Sequence, residues 1–178
     1  MSQDAHRLSI LTTKEIDALY GLPRFTAQER QLYFDVSIPE RAAVEAHTPA
    51  VGVHLTLQLG YFKAKRQFFS YDAEAVSDDV RYVRARYFPG TAFEFLTPLS
   101  RPTRLAQQQT ILTLFAYRRC DRAAREDLEH KAQRIALLST QPLYVLREVL
   151  QHLVTQRIVA PPYTVLQDMV GRVVTRER

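Results

Sequence analysis

The chain has 178 residues, enough for one large domain or two small ones with a real core. Hydrophobic residues make up 46 %, which excludes a disordered chain, and the lone Cys120 excludes an intramolecular disulfide. Net charge is +5, unevenly spread: residues 1–100 carry 11 Lys/Arg against 12 Asp/Glu, and residues 101–178 carry 13 against 7.

The first third repeats one helix-start signal. Thr12 precedes Glu15, Thr26 precedes Glu29 and Ser37 precedes Glu40, each at capping-box spacing. Gly21 and Pro23 stop the first helix, and Pro39 suits a first turn. Helices are expected near 13–20, 27–34 and 38–46. Val51, Val53, Leu55, Leu57, Leu59 and Tyr61 then alternate with smaller or more polar residues, as in a strand. Thr48-Pro49 reads instead as a cap and first-turn proline, and no partner strand is apparent, so a buried helix is favoured. Gly52 and Gly60 would let another helix approach it. Ser77 is expected to cap a helix near 78–88, ended by Pro89-Gly90.

Thr97 to Pro102 holds two prolines at the point where the charge balance changes sign. It marks the expected boundary between an N-terminal module, 1–97, and a basic C-terminal module, 98–178. Four further helices are expected near 102–117, 122–138, 142–156 and from Tyr163 to near the end. The expected fold is all-α, two small helical modules with helix-turn-helix-like hairpins. The final VVTRER has no stop signal, as in a fragment or a truncated gene product.

Catalytic signals are poor. The five histidines lack close metal-ligand spacing, and His54 and His152 read as packed or surface residues. Cys120 lies among Arg118, Arg119 and Arg122, which could lower a thiol pKa, but it has no apparent partner. Asp78-Asp79 and Glu126-Asp127 read as solvated faces. The basic residues say more. Lys63, Lys65 and Arg66 end the apolar helix, where they also suit its dipole. Arg81 and Arg84 share a helical face, Arg101 and Arg104 start the next, and Arg118, Arg119, Arg122 and Arg125 cluster between two helices. Any one cluster is ordinary; four in an otherwise inert helical chain point toward nucleic acid. Ser139-Thr140-Gln141 is a connection of helix-turn-helix length, placing Gln141, Tyr144 and Arg147 at the start of a candidate recognition helix. A helical hairpin without DNA explains that pair equally well.

The succession ILTTKEIDALYG, RQLYF and HLTLQLGYFK resembles the N-terminal region of replicative bacterial transposases of the Tn-three family. Leu57, Gln58, Leu59, Tyr61 and Lys63 match its leucine-rich block, and RPTRLAQQQTIL and PPYTVLQDMV look like later parts of the same region. The chain departs from it at Gln107, Gln108 and Gln109, where a histidine or acidic residue was expected after the arginine. The resemblance implies helical modules that recognise the terminal inverted repeats of a transposon in double-stranded DNA. It places the Asp-Asp-Glu catalytic core, with its Mg2+, several hundred residues further on. This chain is therefore expected to be non-catalytic and to need no cofactor. The expected setting is the bacterial cytoplasm, at the nucleoid, with no signal peptide, no membrane partner and self-association through the full-length transposase. A protein-interaction module for transposase assembly is the competing expectation.

Overall fold

The computed structural model describes residues 7–95 and 97–178. Among them the protein is all-α. The helices are α1 (Thr13–Tyr20), α2 (Ala27–Tyr33), α3 (Ile38–Glu45), α4 (Pro49–Lys65), α5 (Ser77–Tyr87), α6 (Arg101–Phe115), α7 (Arg122–Ala136), α8 (Pro142–Thr155) and α9 (Tyr163–Arg176).

All three capping boxes form. In α1 the Glu15 amide donates to Thr12 Oγ1 at 3.2 Å, and the Thr12 amide donates to Glu15 Oε2 at 2.8 Å. That hydrogen bonding, first from the Thr12 backbone and then from its side chain, holds the exposed Glu15 carboxyl below its usual range. Thr26 with Glu29 and Ser37 with Glu40 repeat the arrangement. Two expected caps differ. Thr48 precedes α4 but makes no side-chain cap bond, so the Pro49 ring sets that start. Val76, not Ser77, is the N-cap of α5, because its side chain, 1 % exposed, is drawn into the core and Ser77 is already helical.

The chain divides into two compact units, and not at residue 97. One is continuous, Leu22–Ala116; the other joins Met1–Gly21 to Tyr117–Arg178. Pro98 and Pro102 do not mark a linker. Pro102 occupies the first turn of α6, and α6 is fastened to the earlier helices. Gln107 Nε2 donates to the Val51 carbonyl at 3.0 Å, and the Phe62 and Phe115 rings lie 5.3 Å apart. The α1 region belongs with the C-terminal helices. Tyr20 donates to the Pro161 carbonyl at 2.8 Å, and the Leu11 amide donates to the Tyr163 hydroxyl at 3.2 Å.

The continuous unit is built around α4. This helix is apolar on every side and buried from Gly52 to Phe62 apart from Gln58, as a helix without a polar face must be. Gly60 gives α4 its closest neighbour: a methyl there would collide with the Phe34 ring. Around Val53, Leu57 and Tyr61 pack Phe25, Phe34, Val76, Val80 and Val83. One charge enters this core. Asp79, 5 % exposed, accepts from Arg30 Nε and from the Tyr61 hydroxyl, each at 2.7 Å, tying α2, α4 and α5 together. Burial, then the Asp79 charge, push the Tyr61 pKa far above its ordinary value. The acidic pair thus splits, with Asp78 exposed and Asp79 structural, contrary to a fully solvated face.

The discontinuous unit is a three-helix core. Leu128, Ala132 and Ile135 of α7 meet Val145, Leu146, Val149 and Leu153 of α8 and Leu166, Met169, Val170 and Val173 of α9. No described helix is long and apolar enough to cross a membrane.

Candidate nucleic-acid interface

The basic end of α4 does not form a free patch. Lys63 Nζ donates to Glu40 Oε2 at 2.7 Å and to the Asp35 carbonyl at 2.6 Å, with only 18 % of its side chain exposed. Its charge is neutralised in an ion pair that ties α4 to α3. Lys65 is half-buried and also engaged within the protein. Arg66 ends the helix at φ 55° with its guanidinium 5.8 Å and 5.4 Å from the Phe62 and Phe115 ring centres. These three were expected at a DNA surface. The structure gives Lys63 and Arg66 internal duties, because an apolar helix leaves its C-terminal charges little room except against neighbours.

On α5 the two arginines part ways. Arg81 is exposed and pairs with Asp78 at 3.0 Å. Arg84 donates to the Phe93 carbonyl at 3.1 Å and lies 4.1 Å above that ring, fastening the following loop. Arg101 and Arg104 stand exposed in the first turn of α6, and among the described residues neither makes an ion pair.

The fourth group is the densest. Arg118 and Ile158 form an isolated parallel bridge: the Arg118 amide donates to the Arg157 carbonyl, and the Val159 amide to the Arg118 carbonyl, both at 2.9 Å. The segment before α7 therefore lies beside the segment after α8. Arg118, Arg119, Arg122 and Arg125 are thereby joined by Arg157, and all five are exposed. Arg157 sits at φ 51°, in the left-handed region that few non-glycine residues occupy. Sequence reading missed it, because nothing local links residues 118 and 157. Arg122 pairs with Glu126 at 2.9 Å, so part of its charge is balanced.

Cys120 lies within this group and is half-buried. Burial raises its thiol pKa, outweighing the lowering by Arg125 and Arg118. The lowering that the neighbouring arginines could exert does not prevail, since desolvation exceeds the attraction of arginines that face water, which agrees with the reading of Cys120 as no reactive thiol.

Of the two readings of the α7–α8 pair, the same bridge favours the plain helical hairpin. It makes α7 and α8 an antiparallel hairpin whose open end carries the arginines. Gln141, Tyr144 and Arg147 are exposed at and beyond the closed end. The 14 residues of α8 separate the ends by about 21 Å. The arginines and the candidate recognition residues thus lie apart rather than on one short patch.

His54 is buried at 3 %, stacked 4.2 Å from the Phe95 ring centre and hydrogen-bonded through Nδ1 to the Tyr71 hydroxyl at 2.8 Å. A cavity of about 50 Å³ beside it, lined also by Gln58 and Gln107, is water-sized; a site of about 150 Å³ is needed for a benzene ring. Among the described residues no group of three or more His, Cys, Asp or Glu is arranged to hold a metal ion.

No curated protein matches the chain. Residues 10–173 match the profile of a family described as a domain of unknown function (DUF4158). That span takes in every helix but the last residues of α9, and the chain belongs to the DUF4158 family.

Proposed function

We propose that this chain is a double-stranded DNA-binding region of a transposase, one that recognises the terminal inverted repeats of a transposon and leaves catalysis to a core outside it. The observation that carries this reading is the arginine group at the open end of the α7–α8 hairpin. Arg118, Arg119, Arg122, Arg125 and Arg157 come together there, with Asp121, Glu126, Asp127 and Glu129 as the nearby acids in sequence. Exposed guanidinium groups at this density suit phosphate oxygens, which they reach with paired donors. The sequence resemblance to Tn-three family transposases supplies the identity of the DNA.

The test is fluorescence anisotropy on a labelled inverted-repeat duplex, with a scrambled duplex as control. Saturable binding with preference for the repeat is expected, weakening steeply as salt rises. The Arg118→Ala/Arg125→Ala double variant should reduce the slope of log affinity against log salt by about two, roughly one per lost phosphate contact. No saturable binding to the repeat at low salt, or no preference for it over the scrambled duplex, would end this reading.

A second reading is an assembly module of the same transposase. Leu137 and Leu138, 70 % and 82 % exposed in the α7–α8 connection, favour it. It requires a mass in solution that rises with concentration and returns to that of one chain in Leu137→Ser/Leu138→Ser. A constant mass sinks it.

A further inference from the structure

Helices α4 and α6 are the only described helices without an aspartate or glutamate. Since α4 is buried, α6 alone offers solvent a basic helix face with no acidic residue on it. Its buried residues, Gln107, Ile111 and Leu112, hold one side against its own unit. On the other side Arg101, Leu105 and Gln109 form one row at four-residue spacing, all exposed. Thr113 continues that row, Ala106 lies beside it, both exposed too, and Arg104 flanks it.

We propose that α6 is the helix that enters the DNA major groove, with Gln109 reading a base edge and Arg101 and Arg104 bracketing it on guanine or phosphate. The proposal rests on the DNA-binding reading above and adds where sequence is read. The side-chain set is the one the groove selects: glutamine pairs with adenine through two bonds, arginine with guanine, and small or apolar groups meet the thymine methyl. The dimensions agree, since a helix with its side chains is about 10–12 Å across and the major groove about 12 Å wide, and the row from Arg101 to Gln109 runs about 12 Å along the axis. Charge narrows the occupants. An apolar or basic protein partner would gain nothing from two exposed guanidinium groups, whereas a phosphate or a carboxylate would; the glutamine between them favours the base edges of DNA over an acidic protein. The exposed face of α8, by contrast, carries Glu148 beside Arg147, and a carboxylate facing phosphate is repelled.

The experiment is selection of bound duplexes from a pool with a randomised central segment, using the full chain and the variants Gln109→Ala, Arg101→Ala and Tyr144→Ala, each checked for helicity by circular dichroism. Wild type should enrich one motif. Gln109→Ala should lose preference at one position by about ten- to a hundredfold while keeping its affinity for unselected duplex. Tyr144→Ala should enrich the wild-type motif. The proposal falls if α6 variants keep the motif, if Tyr144→Ala loses it, or if wild type binds duplex without enriching any motif. It also falls if Leu105→Glu changes the mass in solution while selection stays intact, which would make the face a protein contact. Absence of binding to any duplex at low salt is the distinct failure that removes the DNA reading itself.

Discussion

The two units use positive charge in opposite ways. In Leu22–Ala116 several cations are turned inward: Arg30 to Asp79, Lys63 to Glu40, Arg84 to the Phe93 carbonyl and ring, Arg66 between two phenylalanines. In the unit formed by Met1–Gly21 and Tyr117–Arg178 the arginines around the Arg118–Ile158 bridge are exposed. The difference teaches that a charge census does not locate a binding surface. A cation against a buried carboxylate is part of the scaffold, and only a cation that keeps its hydration can exchange it for a phosphate. Within the first unit, α6 is the exception that keeps Arg101 and Arg104 outside.

The comparison breaks most sharply at Asp79. Asp79→Ala leaves Arg30 and the Tyr61 hydroxyl without their acceptor inside the core, at a cost of about 3–5 kcal/mol in unfolding free energy. Chemical denaturation monitored by tyrosine fluorescence measures it; a loss under 1 kcal/mol would mean the network is not structural.

A paired substitution sharpens it next. Lys63→Met should cost about 1–3 kcal/mol, since it strands the mostly buried Glu40 carboxylate, and should leave DNA affinity at a given salt unchanged. Arg118→Ala should change stability by no more than about 0.5 kcal/mol and should weaken DNA binding. Thermal melting and anisotropy on the same samples separate the two. If the variants exchange phenotypes, the division between inward and outward charge is wrong.

The smallest effect concerns pH. Burial, then Lys131 and Arg134, lower the His152 pKa below its ordinary value of 6.5, while Asp127 opposes them. The folded state therefore favours the neutral ring, and the unfolded chain binds the proton more readily. Stability is present above the ordinary histidine range and is lost as pH falls through it toward the folded pKa. A denaturation midpoint that declines from pH 7 to pH 5, and declines less in His152→Gln, is the expected result. A midpoint equally steep in both removes the histidine from the account.

What was legible in the sequence is what depends on near neighbours. A capping box closes over three residues, so Thr12, Thr26 and Ser37 announce their helices. Pro49 settles helix over strand because its ring fixes a first turn, whatever the alternation beyond it. The rest depends on contacts far apart in the chain. Asp78 and Asp79 are alike in sequence, and only the arrival of α2 and α4 makes one a core residue. The unit boundary follows from Tyr20 meeting Pro161 rather than from any composition shift. Arg157 joins the arginine group only through a bridge to Arg118, and Lys63 leaves the candidate surface only because α3 brings Glu40 to it.

The interrupted unit has a consequence for the order of events on the ribosome. Its first stretch, ending at Gly21, emerges before all of Leu22–Ala116 and cannot find its partners until the residues from Tyr117 onward follow. At about 5–20 residues per second, that wait is about 5–20 s before even the first of them is made. The continuous unit can complete itself in that interval, while α1 trails without Pro161 and Tyr163 to hold it. A nascent chain stalled once Ala116 has cleared the ribosome, on a linker in place of the residues from Tyr117 onward, should therefore resist protease from Leu22 onward and be trimmed at its front. The same logic warns against dissecting the protein at residue 97, where the cut would remove α6 from one unit and leave the other without its opening helix.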